Sequence, residues 1–424
     1  MVKRLILHDY AEYCVNSGDL ATEDESIYRW IGTHWAPQTR IALRKAAYAW
    51  LVKEGIEYAT ANNADKCIDG AGIHLGDLPE RTTDIVIPCA NGYVLVKDDN
   101  QLTFIAPSKE YGLRYCLHCA YLPDFGPAPL FEKFLETVLP VREVRDRVQE
   151  YIGYSLIPDT RFQRAQFWMG SGANGKGVLA NIVQKLHAKV ATVHLDALGG
   201  FKLTEVIGAS LIYVDETPQS RIDEVAFKSL VAGEMTQIDR KYVDPVSVRC
   251  LGKWIILGNS FPRISDHSHG FFRRLDIVPF DITVPEEERD ALLAEKIIQS
   301  ELSGVLNWAL EGLLRLLSRG KFDPQLPEAM SSLLLKSKRE GNSVHSWHDD
   351  SEVTLSSTQQ SLKEDIYRHF QEWCITNGTA SVDSAQFWKR LKGIVDFAES
   401  RHRQGTIQKT WCNLVIPGVN SRDF

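Results

Sequence analysis

The spacing of apolar residues divides the chain into stretches of different texture. Residues 40–58 (RIALRKAAYAWLVKEGIEY) carry them at helical intervals, which predicts a helix. Residues 84–96 (DIVIPCANGYVLV) read as two strands about Asn91-Gly92, a hairpin signal. Residues 113–121 alternate and read as a further strand, and residues 127–154 read as helical, with Leu130, Phe131, Phe134, Leu135 and Val138 clustered. From about residue 163, short apolar runs at 165–169, 211–214 and 254–257 alternate with helices, which predicts a parallel sheet flanked by helices. Residues 285–319 return to helical spacing, and the polar stretch 336–360 reads as a linker. Beyond it come a helix at 362–374 and a second helix at 383–395, started by Ser381 or Asp383. A strand or wing at 404–411 then leads to Leu414-Val415-Ile416, and this last unit looks like a winged helix.

Composition narrows the class. The 424 residues are 44% hydrophobic and 24% charged, the balance of a globular protein, which excludes disorder for most of the chain. No apolar run approaches the roughly 18 residues that span a bilayer, and Leu5-Ile6-Leu7 is too short for a signal peptide, so no membrane partner and a cytoplasmic location are expected. A net charge of −7 excludes a wholly basic nucleic-acid coat but leaves room for local basic surfaces. The eight cysteines are mostly isolated, as reduced thiols are. Cys116-Leu117-His118-Cys119 is the sole CxxC; a zinc site needs a second ligand pair, so buried thiols are expected instead. His267-Ser268-His269 and His345 with His348 sit in polar segments and read as solvated loops.

Chemistry concentrates between residues 165 and 280. An apolar run leads into Gly170-Ser171-Gly172-Ala173-Asn174-Gly175-Lys176-Gly177, followed by Val178 and a helical stretch. Strand, glycine-rich loop and helix together form a cradle for phosphate: backbone N–H groups converge, the helix presents its positive end, and Lys176 reaches the β- and γ-phosphates. The simpler reading is a glycine-rich surface turn. The pattern is GxxxxGK, but Gly177 stands where a Ser or Thr hydroxyl usually ligates Mg²⁺. Thirty-nine residues after Lys176, the run 211–214 delivers Asp215, which suits Mg²⁺, and Glu216, which suits activation of a water molecule. A third run ends at Asn259, whose amide suits the γ-phosphate or the attacking water. Arg273 and Arg274 precede a fourth run, 14 and 15 residues after Asn259.

This order of motifs resembles a superfamily 3 helicase, in particular the helicase part of phage, satellite-element and poxvirus primase-helicases. GSGANGKG (170–177), IYVDE (212–216), FKSLVAGEMTQIDRKY (227–242), and GNSFP (258–262) with FFRRLDIVPF (271–280) carry the resemblance, with weaker likeness upstream from about residue 85 and along 301–310. It implies an α/β, AAA+-type P-loop NTPase core with a parallel sheet at 161–283. An α+β helicase-associated region at 1–125 and a helical collar at 126–160 would precede it. A helical segment at 284–335, a linker at 336–360 and a winged helix at 361–424 would follow. The resemblance further implies an ATP hydrolase with Mg²⁺. It would form a homo-oligomeric ring, a hexamer by the family's example, that travels on single-stranded and forked DNA. Such a ring serves replication of a phage, prophage or mobile element in a bacterial host's cytoplasm, beside a separate primase or polymerase. One of Arg273 and Arg274 would then act across the subunit interface. The other reading kept open by Gly177 is an ATP-binding assembly or origin-recognition protein with weak hydrolysis.

DNA contacts are expected at two places. Residues 237–249 read as a hairpin turning at Asp244-Pro245, and the resemblance makes it the loop that lines the ring's channel, with Arg240, Lys241 and Tyr242 as contacts. In the last unit, Lys389, Arg390, Lys392, Arg401, Arg403 and Lys409 outnumber Asp396 and Glu399, which suggests a phosphate-facing surface at Lys389 and Arg390.

Overall fold

Three short strands and three helices form the first unit of the computed structural model, which describes residues 7–23, 26–218, 222–240, 243–262, 264, 269–340, 342–379, 381–404 and 407–423. Helix α1 (Leu7–Ser17) is followed by β1 (Leu20–Glu23), β2 (Ser26–Trp30) and β3 (Trp35–Pro37), which pair in that order, and then by α2 (Arg40–Glu54) and α3 (Ala61–His74). Thr39 and Thr60 accept hydrogen bonds from backbone N–H groups in the first turns of α2 and α3, satisfying donors that a helix start leaves unpaired. Tyr10, Cys14, Ala47, Leu51, Cys67 and Ala71 bury the inner faces.

The expected hairpin forms as β4 (Ile85–Cys89) and β5 (Gly92–Val96), joined by β6 (Leu102–Ile105). Residues 113–121 do not form the expected strand. Their backbone bonds go singly to different partners: Leu117 N–H to Pro88 O at 2.6 Å, and Leu113 O from Trp35 N–H at 2.8 Å. Alternating apolar residues here are buried without a neighbouring ladder. Cys89, Cys116 and Cys119 are buried free thiols, and burial raises all three pKa values.

The expected helical stretch 127–154 is two helices, α4 (Pro129–Val138) and α5 (Arg142–Ser155), parted at Leu139-Pro140-Val141. Then follow β7 (Ala165–Met169), α6 (Lys176–Leu186), β8 (Val190–Thr192), β9 (Leu211–Val214), α7 (Glu224–Ala232), β10 (Met235–Arg240), β11 (Val243–Arg249), β12 (Lys253–Gly258), α8 (His269–Phe272) and β13 (Leu275–Pro279). Five of these strands make one parallel sheet in the order β13-β7-β12-β9-β8. Both faces are covered, so its strands read as continuous apolar runs. Successive residues of β7 serve opposite layers: Trp168 packs with α5, α6 and α9 (Leu293–Arg319), while Phe167 packs with α7 and α8. The expected helix from 285 starts only at Leu293, after a single turn at Glu286–Glu288. Glu301 of α9 is buried, and its two carboxylate oxygens accept from Leu130 N–H at 3.1 Å and Phe131 N–H at 2.9 Å. It thereby caps α4, whose own N-cap residue, Ala128, has no side-chain acceptor.

One carboxylate lies inside the sheet layer. Asp276 of β13 is 0% exposed and Arg147 of α5 is 4% exposed. Arg147 donates to Asp276 twice, at 2.7 and 2.9 Å, and Arg164 donates once at 3.1 Å. The remaining Arg147 nitrogen donates to Asp323 O at 2.9 Å, beyond the end of α9.

The polar stretch 336–360 is folded rather than a linker. It holds the end of α10 (Glu328–Glu340), α11 (Ser343–Asp350), β14 (Thr354–Leu355) and the start of β15 (Gln359–Leu362). Val344 and Trp347 of α11 are fully buried, enough to dock a helix whose other residues are polar. His345 and His348 therefore lie on a helix, each beside an Asp349 oxygen at 3.1 Å, and not in a loop. The chain ends with α12 (Lys363–Thr376), α13 (Ser384–Lys392), β16 (Glu399–Gln404), β17 (Ile407–Cys412), β18 (Leu414–Val415) and β19 (Ser421–Asp423). Asp383 caps α13, and a sheet runs β16-β17-β15-β19. Among the described residues no helix is long and apolar enough to cross a membrane.

Candidate functional site

In a parallel sheet the carboxyl ends of all strands meet at one edge, where ligands bind. Here that edge gathers the loop after β7, the carboxylates after β9 and Asn259 after β12. Gly170 N–H donates to Gly258 O at 3.1 Å, and Thr217 Oγ1 donates to Ser260 O at 3.2 Å, so these strand ends are tied together.

Residues 170–175 form a loop whose shape depends on missing side chains. Gly175 has φ +81°, and a Cβ there would come within 2.5 Å of Val138 Cγ1. Ser171, Ala173 and Gly177 are exposed, Gly172 and Val178 are half-buried, and Asn174 and Lys176 are buried. Asn174 Nδ2 donates to Phe280 O at 2.8 Å, fastening the loop to the residue that follows β13. Lys176 opens α6 and is 7% exposed. Its ammonium donates to Gly170 O at 2.5 Å and to Asn174 Oδ1 at 3.2 Å. Both acceptors are neutral, and burial lowers its pKa. A cation held this way gains from an incoming anion.

Asp215 and Glu216 are exposed at the end of β9. Tyr213 donates its hydroxyl to Asp215 Oδ1 at 2.6 Å, which fixes the carboxylate. Burial, then this contact with Asp215, raises the Tyr213 pKa, so the hydroxyl keeps its proton. Tyr213 is a site residue that sequence reasoning missed; its signal was a single hydroxyl within the otherwise apolar run 211–214. Gly177 brings no hydroxyl. A Mg²⁺ ion at this edge would have Asp215, phosphate oxygens and water, an oxygen set suited to it. Among the described residues no three His, Cys, Asp or Glu side chains group as a metal cage.

Arg273 and Arg274 do not join this edge. They immediately precede β13, whose Leu275 pairs with Ala165 at the start of β7, so they lie at the opposite edge of the sheet. Five strand residues at roughly 3.3 Å each separate the two edges. Arg273 is exposed, whereas Arg274 is half-buried and donates to Gly270 O at 2.5 Å.

The turn of the β10–β11 hairpin is not at Asp244-Pro245: Arg240 already pairs with Val243, which leaves Asp244 and Pro245 inside β11. Lys241 and Tyr242 lie outside the described residues, as does the side chain of Arg240. Lys389 is exposed and Arg390 half-buried on α13.

Residues 168–274 match the model of DUF5906, a family of unknown function. The matched span runs from β7 through the loop, Asp215, Glu216 and Asn259 to Arg274. Among solved structures, the chain is similar to "the A form apo structure of NrS-1 C terminal region-CTR(305-718)", with a TM-score of 0.48 and 10% identity, covering 95% of this chain and 98% of that one. An apo structure of the same region gives a TM-score of 0.41 and 12% identity, over 76% of this chain and 94% of that one. Likeness at this level bears on neither mechanism nor partners.

Proposed function

We propose that the protein is an ATP hydrolase of the AAA+, superfamily 3 type: a ring-forming DNA helicase that moves on single-stranded and forked DNA. In this reading the five-stranded sheet is a P-loop core, the last unit is a winged helix, and the ring replicates a phage, prophage or mobile element in a bacterial cytoplasm beside a separate primase or polymerase. The observation that carries the reading is Lys176, a buried ammonium with neutral acceptors only, at the same sheet edge as Asp215, Glu216 and Asn259.

Bound Mg²⁺ would neutralise charge on the β- and γ-phosphates, with Asp215 holding it. Lys176 leaves Gly170 O and Asn174 Oδ1 for phosphate oxygens. The start of α6 would present its positive end to the same anion. Glu216 accepts a proton from the attacking water, which the Asn259 amide orients. Arg273, exposed at the far edge, serves the γ-phosphate of a neighbouring copy, because its own site lies a full strand length away.

Nucleotide binding and turnover are measured on Lys176→Ala and Glu216→Gln. The first is expected to lose binding, and the second to keep binding and lose hydrolysis. ATP affinity unchanged by Lys176→Ala would sink the reading. The alternative, an assembly or origin-recognition protein with weak hydrolysis, rests on Gly177; turnover that single-stranded DNA fails to stimulate would favour it.

A further inference from the structure

The last unit carries a polar cleft that none of the site residues above occupies. It has a volume of about 430 Å³ and lies between the start of α12, the α13 face bearing Ser384 and Trp388, and β17. Lys363, Arg368 and Lys409 line it with a single carboxylate, Glu364. Trp388 supplies a half-buried ring; Lys363 Nζ lies over it, 4.1 Å from the ring's centre, and is paired with Glu399 at 3.0 Å. Trp388 makes edge contacts with Phe387 and Phe397, with ring centroids at 4.9 and 5.7 Å. Gln371 and Gln408 add amides, each with one donor and one acceptor group.

We infer that this cleft binds one nucleotide of a single DNA strand, with a base against Trp388 and the flanking phosphates on Lys409 and Arg368. A ring beside cations is the combination that single strands use, since every base has a face to stack and every link a charge. Amides match the mixed donor and acceptor edge of a base. An acidic peptide would satisfy the cations alone and leave the ring and amides idle. The cations are within reach of phosphate: Lys409 meets Glu364 at only 3.5 Å, and that glutamate is 67% exposed. Arg368 meets Asp365 at 3.1 Å with its own side chain 63% exposed. Exposed pairs of this kind hold weakly and exchange readily. The site includes Lys409 of the basic residues counted from sequence but neither Lys389 nor Arg390, and the inference is independent of the nucleotide-hydrolysis reading.

The test is fluorescence anisotropy of a labelled oligothymidylate on the full chain, without ATP, at several salt concentrations. Lys409→Gln and Arg368→Gln are each expected to weaken binding severalfold and to lower the salt slope by about 0.7. Trp388→Leu is expected to weaken it about tenfold. An abasic strand of equal length should bind wild type as weakly as the thymidylate binds Trp388→Leu, and should be indifferent to Trp388→Leu. Wild-type affinity and slope in both Lys409→Gln and Arg368→Gln overturn the inference, whether or not Trp388→Leu folds. So does polyglutamate of equal charge binding as tightly as the thymidylate, which would assign the cleft to an acidic protein. Loss of ATP binding in Lys176→Ala leaves these outcomes unchanged, so the two readings fail separately.

Discussion

Removing the Asp276 carboxylate should be among the most damaging single changes in the sheet layer. Asp276→Ala leaves the Arg147 guanidinium, 4% exposed, with only Asp323 O and the Phe322 ring, 4.5 Å from its centre. Breaking a buried pair from one side costs about 3–5 kcal/mol, because the stranded charge has no water to return to. Arg164→Ala removes one 3.1 Å bond from a side chain that is 21% exposed, and leaves both Arg147 bonds intact. It should cost about 1 kcal/mol. Against a typical total of about 5–15 kcal/mol, the first loss is a large share and the second is modest. Urea unfolding of Asp276→Ala, Arg147→Met and the double variant measures the difference. The double variant should be less destabilised than the sum of the singles, since neither charge is then stranded. Additive losses, or an Asp276→Ala midpoint matching that of Arg164→Ala, would refute the reasoning.

Three further outcomes follow from named contacts. Gly177→Ser should fold and bind nucleotide normally, because no atom lies within 4 Å of its Cβ position and its φ is not in the left-handed region; Gly175→Ala should lower the melting temperature through φ +81° and Val138. Glu301→Ala should lower stability by about 1.5–3 kcal/mol by unbonding the start of α4, with urea unfolding as the measure and Glu301→Gln expected to retain part of the loss. His187 is buried between the hydroxyls of Ser155 and Ser210, at 3.1 and 2.9 Å, and burial, then Lys253, pushes its pKa down from 6.5 to about 3. The folded state therefore favours the neutral ring. Its stability contribution is complete above pH 6.5 and is lost as pH falls toward 3, by at most about 5 kcal/mol. The gap between wild type and His187→Gln in urea should narrow over that range; parallel curves would contradict it.

The gathering of these loops at one sheet edge was legible because its signals are local. A glycine-rich loop between an apolar run and a helix, and carboxylates directly after another run, occupy consecutive residues, and the parallel sheet brings those loops to one edge. What escaped depends on distant partners. Asp276 sits in an apolar run, and Arg147 and Arg164, 129 and 112 positions away, explain it. Glu301 likewise completes a helix 170 positions upstream. The stretch 336–360 looked like a linker because two buried residues, Val344 and Trp347, suffice to seat α11. Residues 113–121 looked like a strand because alternation reports burial on one side in each step, not the presence of a paired neighbour.

Strand β13 has Arg273 at one end and, at the other, Phe280 fastened to the glycine-rich loop. In the proposed ring, a copy that lends Arg273 to one neighbour would borrow it from another, which would make the contact head-to-tail rather than self-complementary. An isolated copy then has no complete site, and an open row always has one complete site fewer than it has copies. Only closure makes the two numbers equal. Activity per copy would thus rise as rows lengthen and reach its full value at closure, giving the reaction itself a way to report whether the circle has been shut around a strand.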